Sequence, residues 1–219
     1  MSETETITET TEVRISATPI AMSGIILSMM MMAGASGLGF AYIPIRLSSL
    51  GFEPWVASAM FPALALGGMF GCLVTGWLLR LSGHARVFMS VYALITLSFL
   101  TISLTENPYV WLVGRFIYGF GINAAFIIAQ SWLHDATTDD NRGKVISIFY
   151  VCYVVTLGFG SFLIGYLDVT TSLPMTIAIG LVTLAIFPVG LTRLRQPEAP
   201  QQVNIQIRKL WQVSPVGMM

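Results

Sequence analysis

The sequence predicts an all-α membrane protein with six transmembrane helices. Three observations carry this. The chain is 55% apolar and 10% charged over 219 residues, whereas a soluble domain needs roughly 25% charged residues to solvate its surface. Six stretches, 20–43, 55–79, 87–105, 109–133, 145–168 and 172–192, reach the roughly 20 apolar residues that span a bilayer as a helix. Inside them only Arg115 and the terminal Asp168 are charged. None of the six alternates in polarity, which excludes transmembrane strands.

The flanks set the organisation. Residues 1–18 carry Glu3, Glu5, Glu9 and Glu12, unlike the basic start of a signal peptide, and read as a polar cytoplasmic tail. Residues 19–193 are the six-helix bundle. Residues 194–219 are a polar cytoplasmic loop whose end, Leu210-Trp211-Gln212-Val213, turns apolar like the start of a seventh helix that is missing. The lipid bilayer is the expected partner, and the chain reads as half of a longer protein.

Charge orients the spans. One face holds Arg14, Arg80, Arg86, Arg142, Lys144, Arg193, Arg195, Arg208 and Lys209, and the other holds only Arg46. Basic loops stay inside, so both termini are expected in the cytoplasm, in the cell inner membrane. Trp55, Trp77, Trp111 and Trp132 mark span ends, where an indole has one wet edge. A net charge of zero leaves no footprint for nucleic acid. Cys72 and Cys152 lie within spans and suggest neither disulfide nor metal site, and no cofactor is implied.

Two features point to function. Span 2 carries Gly67, Gly71 and Thr75, with Gly68, Cys72 and Gly76 beside them, a ridge that lets helix backbones approach in lipid. Span 4 carries Arg115, too deep to be a loop residue. Gly119, Asn123, Phe126 and Gln130 share its helical face. A guanidinium in a membrane belongs beside a wet cavity or a partner, so this stripe is expected along a solute path. Enzyme chemistry has no basis. Gly34-Ala35-Ser36-Gly37 matches the serine motif of rhomboid proteases, but His84 and His134 lie at loops and no span carries a histidine base.

The chain resembles the first half of a major facilitator superfamily transporter. Between spans 2 and 3 the family pattern Gly-x-Leu-x-Asp-Arg-x-Gly-Arg-(Arg/Lys) is met by Gly76, Leu78 and Gly83. Arg80 replaces the acid, Leu81 and His84 replace arginines, and Arg86 keeps one positive charge. In span 4, Arg-x-x-x-Gly-x-Gly is matched by Arg115, Gly119 and Gly121, with Tyr118 where many members have Gln. In span 5, Gly160 and Gly165 keep the end glycines of the antiporter signature without its proline, a departure from drug–proton antiport. A bacterial subgroup is similar at Gln130-Ser131-Trp132-Leu133 and Asn141-Arg142-Gly143-Lys144, and more often has Glu at position 130.

The resemblance implies an N-terminal bundle of two inverted three-helix repeats in a secondary transporter working by alternating access. It implies that helices 1 and 4 line the cavity, with Ser36 and Tyr42 of helix 1 facing Arg115, Gly119, Asn123 and Gln130. The Gly76–Arg86 loop would be a cytoplasmic gate hinge, with Arg80 and Arg86 pairing to acids. His134, Asp135, Asp139 and Asp140 are candidates for that pairing. Gly160 and Gly165 would pack helix 5. The implied partners are a C-terminal six-helix half and a small solute, with a proton or another ion driving transport. The alternative is a non-transporting six-helix membrane subunit or truncated remnant.

Overall fold

The structure, a computed structural model, describes residues 19–191, with side chains from Met22 onward. It contains α1 (Pro19–Ser49), α2 (Pro54–Ser82), α3 (His84–Leu104), α4 (Pro108–Ala136), α5 (Asp139–Leu163), α6 (Leu173–Leu184) and α7 (Ile186–Leu191). The tail at 1–18 and the segment 194–219, with its expected seventh helix, lie outside the described residues.

Six spans are long and apolar enough to cross a bilayer, the last being α6 and α7 together, Leu173–Leu191. The last span is not one continuous helix. Pro188 has no N–H to give the carbonyl four residues back, and its ring crowds that turn, so the helix breaks at Ala185. At the break Ser28 of α1 donates to the Ala185 carbonyl at 2.6 Å. The fifth span ends earlier than expected. α5 gives way to a 3-10 turn over Ile164–Tyr166, and Asp168 lies in the loop beyond. There the Thr170 hydroxyl and backbone N–H both donate to its carboxylate and hold it below the ordinary carboxylate range. Arg115, two turns into α4, is thus the most deeply placed charged residue among the described spans.

Successive spans alternate in direction, because each connection is too short to recross a bilayer. Each bundle end is named here for a turn residue: the Gly51 end holds the α1–α2, α3–α4 and α5–α6 connections, and the Gly83 end holds the others.

The packing repeats itself. α1 packs on α5 and α6, α4 packs on α2 and α3, and α3 packs on α6. Exchange α1 with α4, α2 with α5 and α3 with α6, and every pairing maps onto another. Since each exchanged pair runs in opposite directions, the two three-helix units are inverted copies. Glycine sets the tightest contacts in the same pattern. A Cβ on Gly67 of α2 would stand 1.9 Å from the Phe116 carbonyl oxygen of α4, and one on Gly119 of α4 would stand 2.0 Å from that of Leu64. In the other pair, a Cβ on Gly37 of α1 would lie 2.1 Å from the Leu157 oxygen of α5. One on Gly160 of α5 would lie 2.1 Å from the Gly34 oxygen. Only a residue without a side chain permits this approach, and in lipid such close packing replaces the hydrophobic drive between helices.

α1 is the most enclosed span and α5 the least, with 67% and 17% of their most apolar stretches buried. α2 and α5 accordingly turn Phe61, Leu73, Val151, Val155 and Phe159 outward.

Candidate functional site

Arg115 sits where α4 crosses α1. It is 4% exposed, and its Nη2 donates to the Gly39 carbonyl of α1 at 2.9 Å. Its guanidinium carbon lies 5.2 Å from the centre of the Phe40 ring and 5.6 Å from that of Tyr118. Aromatic faces and a carbonyl are the neutral partners that solvate a cation when water is excluded. The arginine also closes one side of a cleft between α1 and α2, walled by Phe40 and Pro44 of α1 and by Met60, Phe61 and Leu64 of α2. Pro44 is tolerated inside α1, as prolines are in membrane helices where neighbours shelter the freed backbone. The cleft lies in the half of the bundle nearer the Gly51 end, since its walls come from the last turns of α1 and the first turns of α2.

The polar stripe of α4 does not share one cavity. Asn123 donates from Nδ2 to the Gly119 carbonyl of its own helix at 3.1 Å. Its amide sits against Gly68 of α2, where a Cβ would come within 2.3 Å of Nδ2. Gln130 donates from Nε2 to the Tyr150 hydroxyl of α5 at 2.7 Å. Phe126 joins the rings of Phe149, Tyr150 and Tyr153. The stripe therefore serves three seams in succession: α1 through Arg115, α2 through Gly119 and Asn123, and α5 through Gln130. The reason is geometric: a face about 80° wide on a central helix meets several neighbours along its length.

Helix α1 answers in kind. Ser36 is buried, accepts from the Tyr118 hydroxyl at 2.6 Å and donates to its own Met32 carbonyl at 2.7 Å. One serine thus ties α1 to α4. Tyr42 is buried toward the Gly51 end and donates to the Thr171 carbonyl at 3.4 Å, away from Arg115.

The expected gate loop from Gly76 to Arg86 is almost wholly helical. α2 continues to Ser82, α3 begins at His84, and Gly83 alone joins them with φ 76°. That left-handed conformation suits glycine, and the Gly83 N–H caps the Leu79 carbonyl at 2.9 Å. Arg80 and Arg86 are exposed, and neither forms the expected ion pair. Among the described residues the two ion pairs are Arg46–Glu106 at 2.5 Å and Arg142–Asp139 at 2.9 Å. Asp139, a candidate partner for the gate arginines, is thus engaged one turn away on its own helix. His84 is buried, sharing a hydrogen bond of 3.2 Å with Ser131 Oγ and packing 5.8 Å from the Trp132 ring. A side chain that replaces a family arginine has become part of the α3–α4 contact.

Of the span 5 glycines, Gly160 makes the closest contact with α1, while Gly165 lies in the 3-10 turn with no atom within 4 Å of its Cβ position. Gly76 is equally open. The sequence reading missed the apolar walls of the cleft, which carry no signal in an apolar span. It also missed the packing role of Gly34 and Gly37, although their three-residue spacing was visible.

The Major Facilitator Superfamily model matches residues 24–214. An uncharacterized MFS-type transporter of Enterobacter sp. (strain 638) is 25% identical over 154 residues, covering 69% of this chain and 40% of the relative. The uncharacterized MFS-type transporter YcaD of Escherichia coli O9:H4 (strain HS) is 21% identical over 168 residues, covering 77% and 44%. Among solved structures, the peptide transporter POT in complex with sulfate superposes with a TM-score of 0.64 at 17% identity, over 91% of this chain and 43% of that one. An auto-inhibited POT family peptide transporter gives 0.61 at 16% identity, over 84% and 39%. At these identities the structures share the fold, and the match spans 40% and 44% of the length of these two curated relatives. With the match covering most of the chain and all six spans, the chain belongs to the Major Facilitator Superfamily.

Proposed function

We propose that this chain is the N-terminal half of a secondary transporter that moves a small solute across a bacterial inner membrane by alternating access, with both termini in the cytoplasm. The observation that carries the reading is Arg115. A guanidinium buried two turns into a membrane helix is costly, and intramembrane arginines mark solute or ion paths. Its side chain lines a small cleft between α1 and α2. The inverted repeat supports the same reading, because rocking of such bundles about a shared site is how these folds alternate access. The described spans hold no carboxylate at mid-depth, so a proton carrier, if a proton drives transport, belongs to a second six-helix bundle.

Proteoliposomes test this. The 219-residue chain is reconstituted alone and together with a second six-helix bundle, and uptake of a solute panel is followed under a proton gradient. Uptake is expected only with both bundles present. Gradient-driven uptake by the chain alone, abolished by Arg115→Ala, would overturn the half-transporter reading. No uptake in either preparation would overturn transport itself.

A further inference from the structure

We propose that Gln130 of α4 and Tyr150 of α5, with the rings beside them, form a breakable latch that closes the seam between α4 and α5 at the Gly83 end. The cleft between α1 and α2 is the inverted copy of that seam, without the latch. The inference deepens the alternating-access reading, on which it rests, by naming the contact that must release.

The register of the inverted repeat carries the argument. One shift in numbering takes Gly34 to Phe116 and Gly37 to Gly119, and a second takes Leu157 to Leu64 and Gly160 to Gly67. Each close contact of α1 on α5 thereby falls on a close contact of α4 on α2. The first shift also takes Ser36 to Tyr118. These two are bonded to each other, as paired residues beside a twofold axis are placed to be. Applied to the cleft at the Gly51 end, the shifts match Pro44 with Phe126, Ala57 with Tyr150 and Met60 with Tyr153.

What is a cleft at one end is filled at the other. The centre of the Phe126 ring lies 4.7 Å from that of Tyr153 and 6.4 Å from that of Tyr150. Gln130 Nε2 donates to the Tyr150 hydroxyl at 2.7 Å. The same shifts match Gln130 with Ser48 and Tyr150 with Ala57. Serine has a short side chain and alanine no polar atom, so the Gly51 end cannot build this bond.

The latch is of a strength that releases. α4 grips α2 backbone to backbone at Gly67 and Gly119, whereas it meets α5 through this bond and these rings. One hydrogen bond between neutral groups and a few ring contacts are each modest in net terms, and Tyr150 is 42% exposed. α4 and α5 can therefore part at the Gly83 end while both glycine seams stay closed.

Pulsed electron spin resonance on the full chain in nanodiscs tests this, in a Cys72→Ser, Cys152→Ser background. Spin labels are placed at the Gly83 end through His134→Cys and Ser147→Cys. A second preparation carries them at the Gly51 end through Ser49→Cys and Ser58→Cys; all four positions are exposed. Tyr150→Phe, which keeps the ring, and Gln130→Ala are each expected to raise the long-distance fraction at the Gly83 end at least about threefold. The Gly51-end distances and the melting temperature are expected to stay. Ser48→Gln with Ala57→Tyr, which transplants the latch, is expected to narrow the distances at the Gly51 end. An unchanged Gly83-end distribution in either single variant, or equal broadening at both ends, would overturn the latch. A folded transplant with an unchanged Gly51-end distribution would overturn the shared seam; if the transplant does not fold, the single variants decide alone. Failure here is distinct from failure of the transporter reading, which is judged by uptake into proteoliposomes holding both bundles.

Discussion

The hydroxyl of Tyr118 donates to Ser36 Oγ across 2.6 Å, joining α4 to α1 in a buried position. The same tyrosine ring lies 5.6 Å from the guanidinium carbon of Arg115. One residue thus fastens the seam and shelters the charge. Tyr118→Phe keeps the ring and removes the bond, and is expected to cost about 1 kcal/mol. Thermal unfolding in detergent with a double-mutant cycle against Ser36→Ala measures the coupling. Strictly additive losses would show that the bond contributes nothing.

The glycine notches differ sharply in what they tolerate. Gly160→Ala forces a methyl against the Gly34 backbone, whereas Gly165→Ala meets open space. The first is expected to destabilise the bundle by about 2 kcal/mol or more, because two helix backbones must separate, and the second by less than about 0.5 kcal/mol. Equal melting temperatures for the two variants would refute the packing assigned to α1 and α5.

Gly83 is the single link between α2 and α3 and holds φ 76°. Gly83→Ala is expected to cost about 1 kcal/mol from backbone strain, with Gly76→Ala, in open helix, costing nothing measurable. The comparison is made by melting both purified variants. A silent Gly83→Ala would mean the turn adopts another conformation.

Orientation follows from charge. Nine basic residues stand on one face of the sequence and one on the other, so a reporter fused after Arg195 is expected in the cytoplasm and one at Gly51 outside it. Alkaline phosphatase activity from the Arg195 fusion would reverse the topology.

Much of the fold was legible because membrane spans are written in length and charge. The six stretches, the depth of Arg115 and the ends marked by Trp55 and Trp111 all follow from hydropathy. Helix pairing was less legible. The ridge at Gly67 and Gly71 announced a close contact but not its partner α4, and Gly34 with Gly37 resembled a catalytic serine motif before the structure set them on α5. The stripe on α4 was read as one surface because a helical wheel has no neighbours. Once α1, α2 and α5 are placed, Arg115, Asn123 and Gln130 each meet a different helix. Arg86 carried a charge the family pattern asks for and Arg80 stood in place of its acid, yet the i,i+3 spacing of Asp139 and Arg142 at the start of α5 favours that local pair over a bond to either.

The shelter around Arg115 has a bearing on biosynthesis. A guanidinium entering hydrocarbon costs about 2.5 to 3.5 kcal/mol at a helix centre and less toward its ends. The Gly39 carbonyl and the Phe40 ring that receive it belong to α1, which precedes α4 by three spans in the order of synthesis. The α1 groups that solvate the guanidinium are thus synthesised before the arginine they shelter.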